Sequence, residues 1–127
     1  MKIKFASLVA TAAMAVFATQ AQAGSLVEGS AEDGQAKALT CTACHGPEGN
    51  SVSAMWPNLA GQNAPYLLAQ LKAFKDGSRT DPLMTSQAMF LADQDMADLA
   101  VYCESQERAV QAVKDASLID RGEALYR

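Results

Sequence analysis

The sequence contains few of the residues that build metal and catalytic centres. Its 127 residues include one histidine and three cysteines, and aromatic side chains make up 6% of the chain. A structural zinc site needs four ligands, usually arranged as two spaced pairs. The chain offers four candidate zinc ligands: Cys41, Cys44, His45 and Cys103. They could form one site only if the adjacent Cys44 and His45 both bound the same tetrahedral ion. The scarcity of ligands therefore disfavours zinc.

Cys41, Cys44 and His45 form a C-x-x-C-H motif, the pattern of a c-type haem attachment site. Two thiols three positions apart lie on one side of a helical turn, within reach of both vinyl groups of one porphyrin. The histidine that follows can then supply an axial nitrogen to the iron. A thioredoxin-like dithiol would need a preceding strand, whereas residues 31–40 are rich in helix-forming residues. The motif predicts one covalently attached haem c, with zinc and a dithiol as weaker alternatives.

The N-terminus has the pattern of a secretory signal peptide over residues 1–23. Lys2 and Lys4 form a short positive region, a mostly apolar stretch follows, and residues 21–23 read A-x-A before Gly24. The apolar stretch is shorter than a typical transmembrane helix. A cleaved signal peptide is therefore favoured over an uncleaved anchor helix, and the mature chain is predicted to be periplasmic.

The charge of the mature chain limits its partners. Loss of the two N-terminal lysines changes the formal charge from −4 to −6. Such acidity argues against nucleic acid and against an anionic membrane surface as main partners, so membrane association is expected to be peripheral at most.

Residues 24–113 are predicted to form one small domain, whose core a haem would enlarge, and residues 114–127 are predicted to form a tail.

The pattern of apolar residues predicts three helices and no strand. The first covers residues 31–44, and the second begins near Ala64-Pro65 and stops at Gly77. The third begins with Asp93 as its N-cap and runs through Cys103. Residues 46–62 and 78–91 are predicted to be loops. The fold class is therefore all-α.

An iron held by one histidine needs a second axial ligand if it is to carry electrons, and the chain has no second histidine. Methionine is the usual alternative. Met96 lies on the apolar stripe of the third helix, where core packing is the simpler role. Met55 is too close to His45 in sequence to reach the opposite face of the haem. Met84 and Met89 both have the necessary reach, so the choice between them stays open on this argument.

Together these motifs resemble class I cytochromes c, and cytochrome c4 and its relatives most closely, over about residues 31–106. Gly34 and Tyr102 match a glycine and an aromatic residue that pack together where the first and last helices cross. Residues 46–51, 56–62 and 79–84 match the family's loops. The resemblance implies a class I cytochrome c fold, with three main helices and loops wrapped around one haem.

The resemblance also implies roles for individual residues. It assigns the sixth ligand position to Met84 and not to Met89, so that His45 and Met84 would hold the iron. It implies that the carbonyl of Pro57 accepts the Nδ1–H of His45, which would fix the imidazole ring. Pro57 and Leu59 are assigned to haem binding on the same basis.

The function implied by the resemblance is that of a periplasmic monohaem one-electron carrier, which is not an enzyme. Its implied partners are redox proteins, specifically membrane respiratory complexes such as a terminal oxidase. Two alternatives remain: a haem-bearing relay subunit of a larger oxidoreductase, and a small haem enzyme of peroxidase type. The chain offers no distal histidine or arginine arrangement to support the enzyme.

Two features depart from the resemblance. Cys103 stands where an aromatic or aliphatic residue is expected; we predict a buried, reduced thiol, with an exposed thiol that forms dimers as the alternative. Cytochromes c4 have two haem domains, but this chain has one C-x-x-C-H motif, and residues 117–127 resemble the opening of a second domain. The tail is therefore predicted to be dispensable for the haem fold, the alternative being that it packs firmly and completes the core.

Overall fold

The computed structural model describes residues 25–110 and 115–126, which contain six α-helices, one short 3₁₀ helix and no β-strand. In chain order these are α1 (Ala31–Lys37), α2 (Leu39–His45), the 3₁₀ helix (Pro47–Gly49), α3 (Ala64–Asp76), α4 (Pro82–Ala88), α5 (Asp93–Ser105) and α6 (Ser117–Tyr126). The all-α prediction is confirmed. The predicted signal peptide, residues 1–23, lies outside the described residues.

The predicted first helix, residues 31–44, is in fact two helices that meet at Ala38. The N–H of Ala38 donates to the carbonyl of Gly34 at 2.9 Å and ends α1. The carbonyl of Ala38 then accepts from Cys41 at 2.9 Å and from Thr42 at 3.1 Å. The first of these bonds spans only three residues and tightens the turn, so α2 begins at the break and carries the whole C-x-x-C-H motif.

The predicted second and third helices are present as α3 and α5. In α3, the side chain of Asn63 caps the start, and Gly77 ends the helix in a left-handed conformation with φ of 82°. The third helix differs from the prediction by one position, because Asp93 is its first residue and Ala92 its cap. The carboxylate of Asp95 accepts the N–H of Ala92 at 2.8 Å. This bond satisfies a backbone donor at the helix start and decides where the helix begins.

The predicted loop at residues 78–91 is wrong in its central part, because α4 (Pro82–Ala88) lies there. Asp81 caps this helix, accepting the backbone N–H groups of Leu83 at 3.0 Å and Met84 at 2.8 Å. Proline at the first helical position has no N–H to leave unsatisfied. The seven-residue helix lacks a long apolar stripe, since Ala88 is its one buried residue. Its capping signals therefore define it better than its hydrophobic pattern does.

The core forms where α1 and α3 pack against α5. Helix α5 contributes most of the buried side chains of this core. Gly34 on α1 allows the backbones of α1 and α5 to approach closely. A Cβ at Gly34 would overlap the carbonyl oxygen of Asp98 and lie 2.7 Å from the Cβ of Tyr102. The expected packing of Gly34 against Tyr102 is confirmed. The buried core comprises Ala38, Ala64, Leu67, Leu99, Ala100, Tyr102 and Cys103.

Asp98 is a buried carboxylate at the crossing of α1 and α5. Its Oδ1 accepts the N–H of Ser30 at 2.9 Å and the amide of Gln94 at 2.8 Å. Its Oδ2 pairs with the Nζ of Lys37 at 3.1 Å. The hydrogen bond from Ser30, followed by that from Gln94, holds the pKa of Asp98 below its ordinary value. The side chain thus joins the start and end of α1 to the last core helix.

Helix α6 buries no residue. Its apolar side chains Leu118, Ile119, Leu125 and Tyr126 are 52%, 54%, 87% and 95% exposed. No helix within residues 25–110 or 115–126 has the length and apolar character required to cross a membrane.

We expect Gly34→Ala to destabilise the holoprotein by about 3 kcal/mol, the upper end of the range for overpacked sites. The reason is that the added methyl group meets the backbone of α5 and not the flexible end of a side chain. Denaturant unfolding measures the change. Gly122→Ala is a matched control, because Gly122 is also helical but has no atom within 4 Å of an added Cβ. Equal midpoints for Gly34→Ala and wild type would contradict the close crossing.

We expect Asp98→Asn to reduce the dependence of stability on pH in acid. Because the folded-state pKa of Asp98 is lowered, its ionised form stabilises the fold above the ordinary pKa of about 3.9. That contribution is lost as the pH falls through the lower folded-state value. Thermal unfolding between about pH 2 and pH 7 tests this. Asp33→Asn, which removes the same charge from an exposed site on α1, is the control; an equal effect of both variants would contradict the assignment.

Candidate haem site

His45 is the last residue of α2 and is buried, with 6% of its surface exposed. Its Nδ1 lies 2.9 Å from the carbonyl oxygen of Pro57. A carbonyl oxygen can only accept, so Nδ1 carries the proton and Nε2 carries the lone pair. The hydrogen bond that the resemblance implies is present, and it sets both the ring orientation and the tautomer.

The loop that presents Pro57 is held by backbone hydrogen bonds near both of its ends. After His45 the chain reverses at Gly46, with φ of 76°. The carbonyl of Gly49 accepts the N–H groups of Leu59 at 2.8 Å and Ala60 at 3.1 Å. These bonds close residues 50–58 into a loop, which brings the Pro57 carbonyl to the Nδ1 edge of the imidazole.

Two further contacts stabilise this loop. The side-chain oxygen of Asn58 accepts the N–H of Ser51 at 2.7 Å across the loop. The N–H of Gly61 donates to the carbonyl of Cys103 at 2.8 Å and ties the loop to α5. Asn58 was not among the predicted site residues, although an asparagine in a loop rich in glycine and proline is a typical side-chain partner for a backbone turn.

Cys41 and Cys44 lie on α2, three positions apart, and they are not joined to each other by a disulfide. Cys41 is half-buried and Cys44 is exposed. Burial raises the pKa of the Cys41 thiol. Within residues 25–110 and 115–126, no three side chains among His, Cys, Asp and Glu converge as a metal site would require. This geometry gives no support to the zinc alternative.

A small cavity lies behind His45. Its lining includes Cys41, His45 and Leu59, which were predicted to bind haem, together with Cys103. Cys103 is 7% exposed, and burial raises its pKa to about 11. The predicted burial of Cys103 is confirmed, and its reduced state stays a prediction. The neutral thiol is therefore a packing residue of the core on this side of the site.

The four candidate methionines have different environments. Met96 is fully buried in α5, as expected for a core residue, whereas Met55 is 76% exposed. Met84 is half-buried at the third position of α4, and Met89 is 58% exposed at the end of that helix. Met84 does not line the cavity behind His45.

The residues of α2 fit a c-type haem. The thiols lie on one side of a helix, and the histidine has its Nδ1 bonded to protein and its Nε2 lone pair available to iron. A carbonyl acceptor on Nδ1 also increases the donor strength of Nε2. The cytochrome c family profile matches residues 31–107, which include the C-x-x-C-H motif, the loop with Pro57 and helices α1 to α5. The chain belongs to the cytochrome c family. Membership of this family implies covalently bound haem c.

Cytochromes c4 are among the most similar proteins. Cytochrome c4 of Pseudomonas aeruginosa is 50% identical over 99 residues, which cover 78% of this chain and 49% of that protein. Cytochrome c-554(548) of Halomonas halodenitrificans is 46% identical over 82 residues, which cover 62% of this chain and 99% of that protein. The chain spans about half the length of the cytochrome c4 relatives it matches.

The fold agrees with that of a solved relative. The crystal structure of reduced recombinant cytochrome c4 from Pseudomonas stutzeri superposes with a TM-score of 0.70 at 42% identity. The match covers 78% of this chain and 56% of that one. The predicted class I cytochrome c fold is therefore confirmed, with α4 added to the three predicted helical regions.

Proposed function

We propose that this chain is an exported one-electron carrier with a single haem c and no enzymatic activity. The observation that carries the proposal is the buried His45, whose Nδ1 is bonded to Pro57. This hydrogen bond holds the imidazole in one orientation and one tautomer. A haem c bound here supplies reversible one-electron chemistry at its iron. Electron transfer is fast when the surroundings of the iron change little between the two oxidation states, and a fixed imidazole meets that requirement.

In this proposal Cys41 and Cys44 attach the haem covalently, while His45 and Met84 are the axial ligands. Pro57 acts by orienting His45, and Leu59 contributes an apolar wall beside it. Three facts favour Met84 over the other candidate methionines as the axial ligand. Met96 is fully buried in the core, Met55 and Met89 are largely exposed, and Met84 alone is both half-buried and in the matching position of the family's methionine loop.

Two observations support one haem in the described domain. The sequence has one C-x-x-C-H motif. The cytochrome c-554(548) match spans 99% of that relative in 82 residues, so a domain of this size exists as a separate protein. We propose residues 24–113 as the haem domain and residues 114–127 as a tail that this domain does not need.

The proposed location is the periplasm, reached through a signal peptide at residues 1–23. The proposed partners are redox proteins of the respiratory chain, with a terminal oxidase as acceptor. The charge of −6 after signal removal favours basic or nearly neutral docking surfaces. Encounters of this kind are usually small and weak, so release does not limit turnover.

We expect Met84→Ala to abolish the methionine-to-iron charge-transfer band of the ferric holoprotein. The ferrous variant should bind carbon monoxide, because the sixth position is then open, whereas the wild-type protein should not. Met89→Ala is the matched control and should leave both properties unchanged. Optical spectra with and without carbon monoxide measure them. Loss of the band in Met89→Ala and its retention in Met84→Ala would contradict the assignment.

We expect deletion of residues 116–127 to lower the thermal midpoint by less than about 4 °C, which corresponds to under about 1 kcal/mol in a domain of this size. The reason is that α6 buries none of its residues. The shortened holoprotein should also keep its charge-transfer band. A larger loss of stability, or loss of the band, would show that the tail completes the core.

A further inference from the structure

Helix α4 carries Met84 but is too short to be stable by itself. It has seven residues, and isolated helices shorter than about 12 residues are marginal in water. Its conformation therefore depends on its packing against α3 and on contacts at its two ends. Those contacts decide how firmly the Met84 backbone is held.

The C-terminal end of α4 is anchored to the core. Ala88 is completely buried, and its carbonyl accepts the N–H of Leu91 at 3.1 Å. The Nζ of Lys75, at the end of α3, donates to the carbonyl of Leu91 at 2.5 Å and lies 3.8 Å from the carboxylate of Asp93. Lys75 thus ties the segment that follows α4 to the end of α3 and the start of α5.

The chain that leads into α4 is also attached to α3. The guanidinium of Arg79 lies 4.4 Å from the centre of the Phe74 ring and donates to the side chain of Gln70 at 2.6 Å. The N–H of Arg79 donates to the carbonyl of Ala73 at 3.0 Å. Only the two residues Thr80 and Asp81 separate this attachment from the first residue of α4.

Asp81 is joined to α4 by hydrogen bonds in which it both accepts and donates. Its carboxylate Oδ1 accepts the N–H of Met84 at 2.8 Å and that of Leu83 at 3.0 Å. Its own N–H donates to the Thr85 hydroxyl at 3.2 Å, and its carbonyl accepts the N–H of Thr85 at 2.8 Å. The Met84 N–H, which is in the first turn, has no partner within the helix and depends on this carboxylate.

We propose that Asp81 is a positioning residue that holds the Met84 thioether on the iron. This inference rests on the proposed function, because it needs Met84 as the axial ligand. While the cap is formed, the first turn of α4 cannot unwind without breaking the hydrogen bonds from Leu83 and Met84 to Asp81. Without the cap this turn would open more easily, and a methionine bound to iron from it would be displaced more readily.

The test is a titration of the ferric holoprotein with imidazole, which competes with the methionine for the sixth position. Loss of the charge-transfer band reports the competition. Removing an N-cap costs about 1 kcal/mol, so Asp81→Ala should bind imidazole about fivefold to tenfold more tightly than wild type. Asp81→Asn keeps a capping oxygen and should restore an affinity close to that of wild type.

Asn63→Ala is the matched control. Asn63 caps α3 by accepting the N–H of Tyr66 at 3.1 Å, so the variant loses the same kind of bond from a helix that carries no proposed ligand. It should lower the thermal midpoint and leave imidazole affinity unchanged. If Asp81→Ala does not accumulate as holoprotein, Thr85→Val removes the acceptor of the Asp81 N–H and should shift affinity in the same direction.

An imidazole affinity equal to that of wild type in Asp81→Ala, or in Thr85→Val when it is the variant tested, would overturn the proposal. An equal shift in Asn63→Ala would also overturn it, because the effect would then follow general stability. These failures differ from failure of the proposed function. If wild-type protein lacks the charge-transfer band, Met84 is not the ligand and both proposals fall; if the band is present and Asp81→Ala leaves affinity unchanged, only the role of Asp81 falls.

Discussion

The close crossing of α1 and α5 is the contact on which the rest of the domain depends. Gly34 allows the backbone of α1 to touch that of α5 at Asp98, and no side chain would fit between them. Because α2 follows α1 directly at Ala38, the crossing also sets the position of the helix with the C-x-x-C-H motif. The buried Asp98 reinforces the contact through Ser30 and Lys37.

The same crossing organises the histidine side of the site. Tyr102 and Cys103 lie on α5 and line the cavity behind His45, and Tyr102 also packs beside Gly34. The carbonyl of Cys103 accepts the N–H of Gly61 and thereby holds the loop that supplies Pro57. One helix thus supports both the imidazole and its hydrogen-bond acceptor, and this explains why the ring is buried with a single defined tautomer.

The two sides of the proposed haem site are built differently. His45 ends a seven-residue helix in which it is the one buried residue, and its ring is fixed directly by the hydrogen bond to Pro57. Met84 belongs to a seven-residue helix whose only buried residue is Ala88. The position of this helix depends on hydrogen bonds that Asp81 makes at its start and Lys75 makes just after its end. The described hydrogen bonds therefore fix the ring of His45 itself, but only the backbone of Met84.

A helix could be predicted where the sequence shows both a regular apolar stripe and residues typical of helix ends. Helix α3 has an apolar stripe, Pro65 near its start and Gly77 at its end, and it was predicted almost to the residue. Helix α4 was missed because its apolar pattern is weak, although Asp81-Pro82 is a typical helix start. The break at Ala38 was missed because the sequence around it is helical throughout.

The sequence by itself determined the all-α class, the single C-x-x-C-H motif and the cytochrome c family, because these depend on residue types at short spacings. The tertiary structure alone decided which buried carboxylate joins α1 to α5. It also divided the first helix and placed the Pro57 carbonyl 2.9 Å from the only histidine. Every residue has a backbone carbonyl, so composition and spacing do not reveal which one a buried imidazole will meet. That choice follows from how the loops and helices pack.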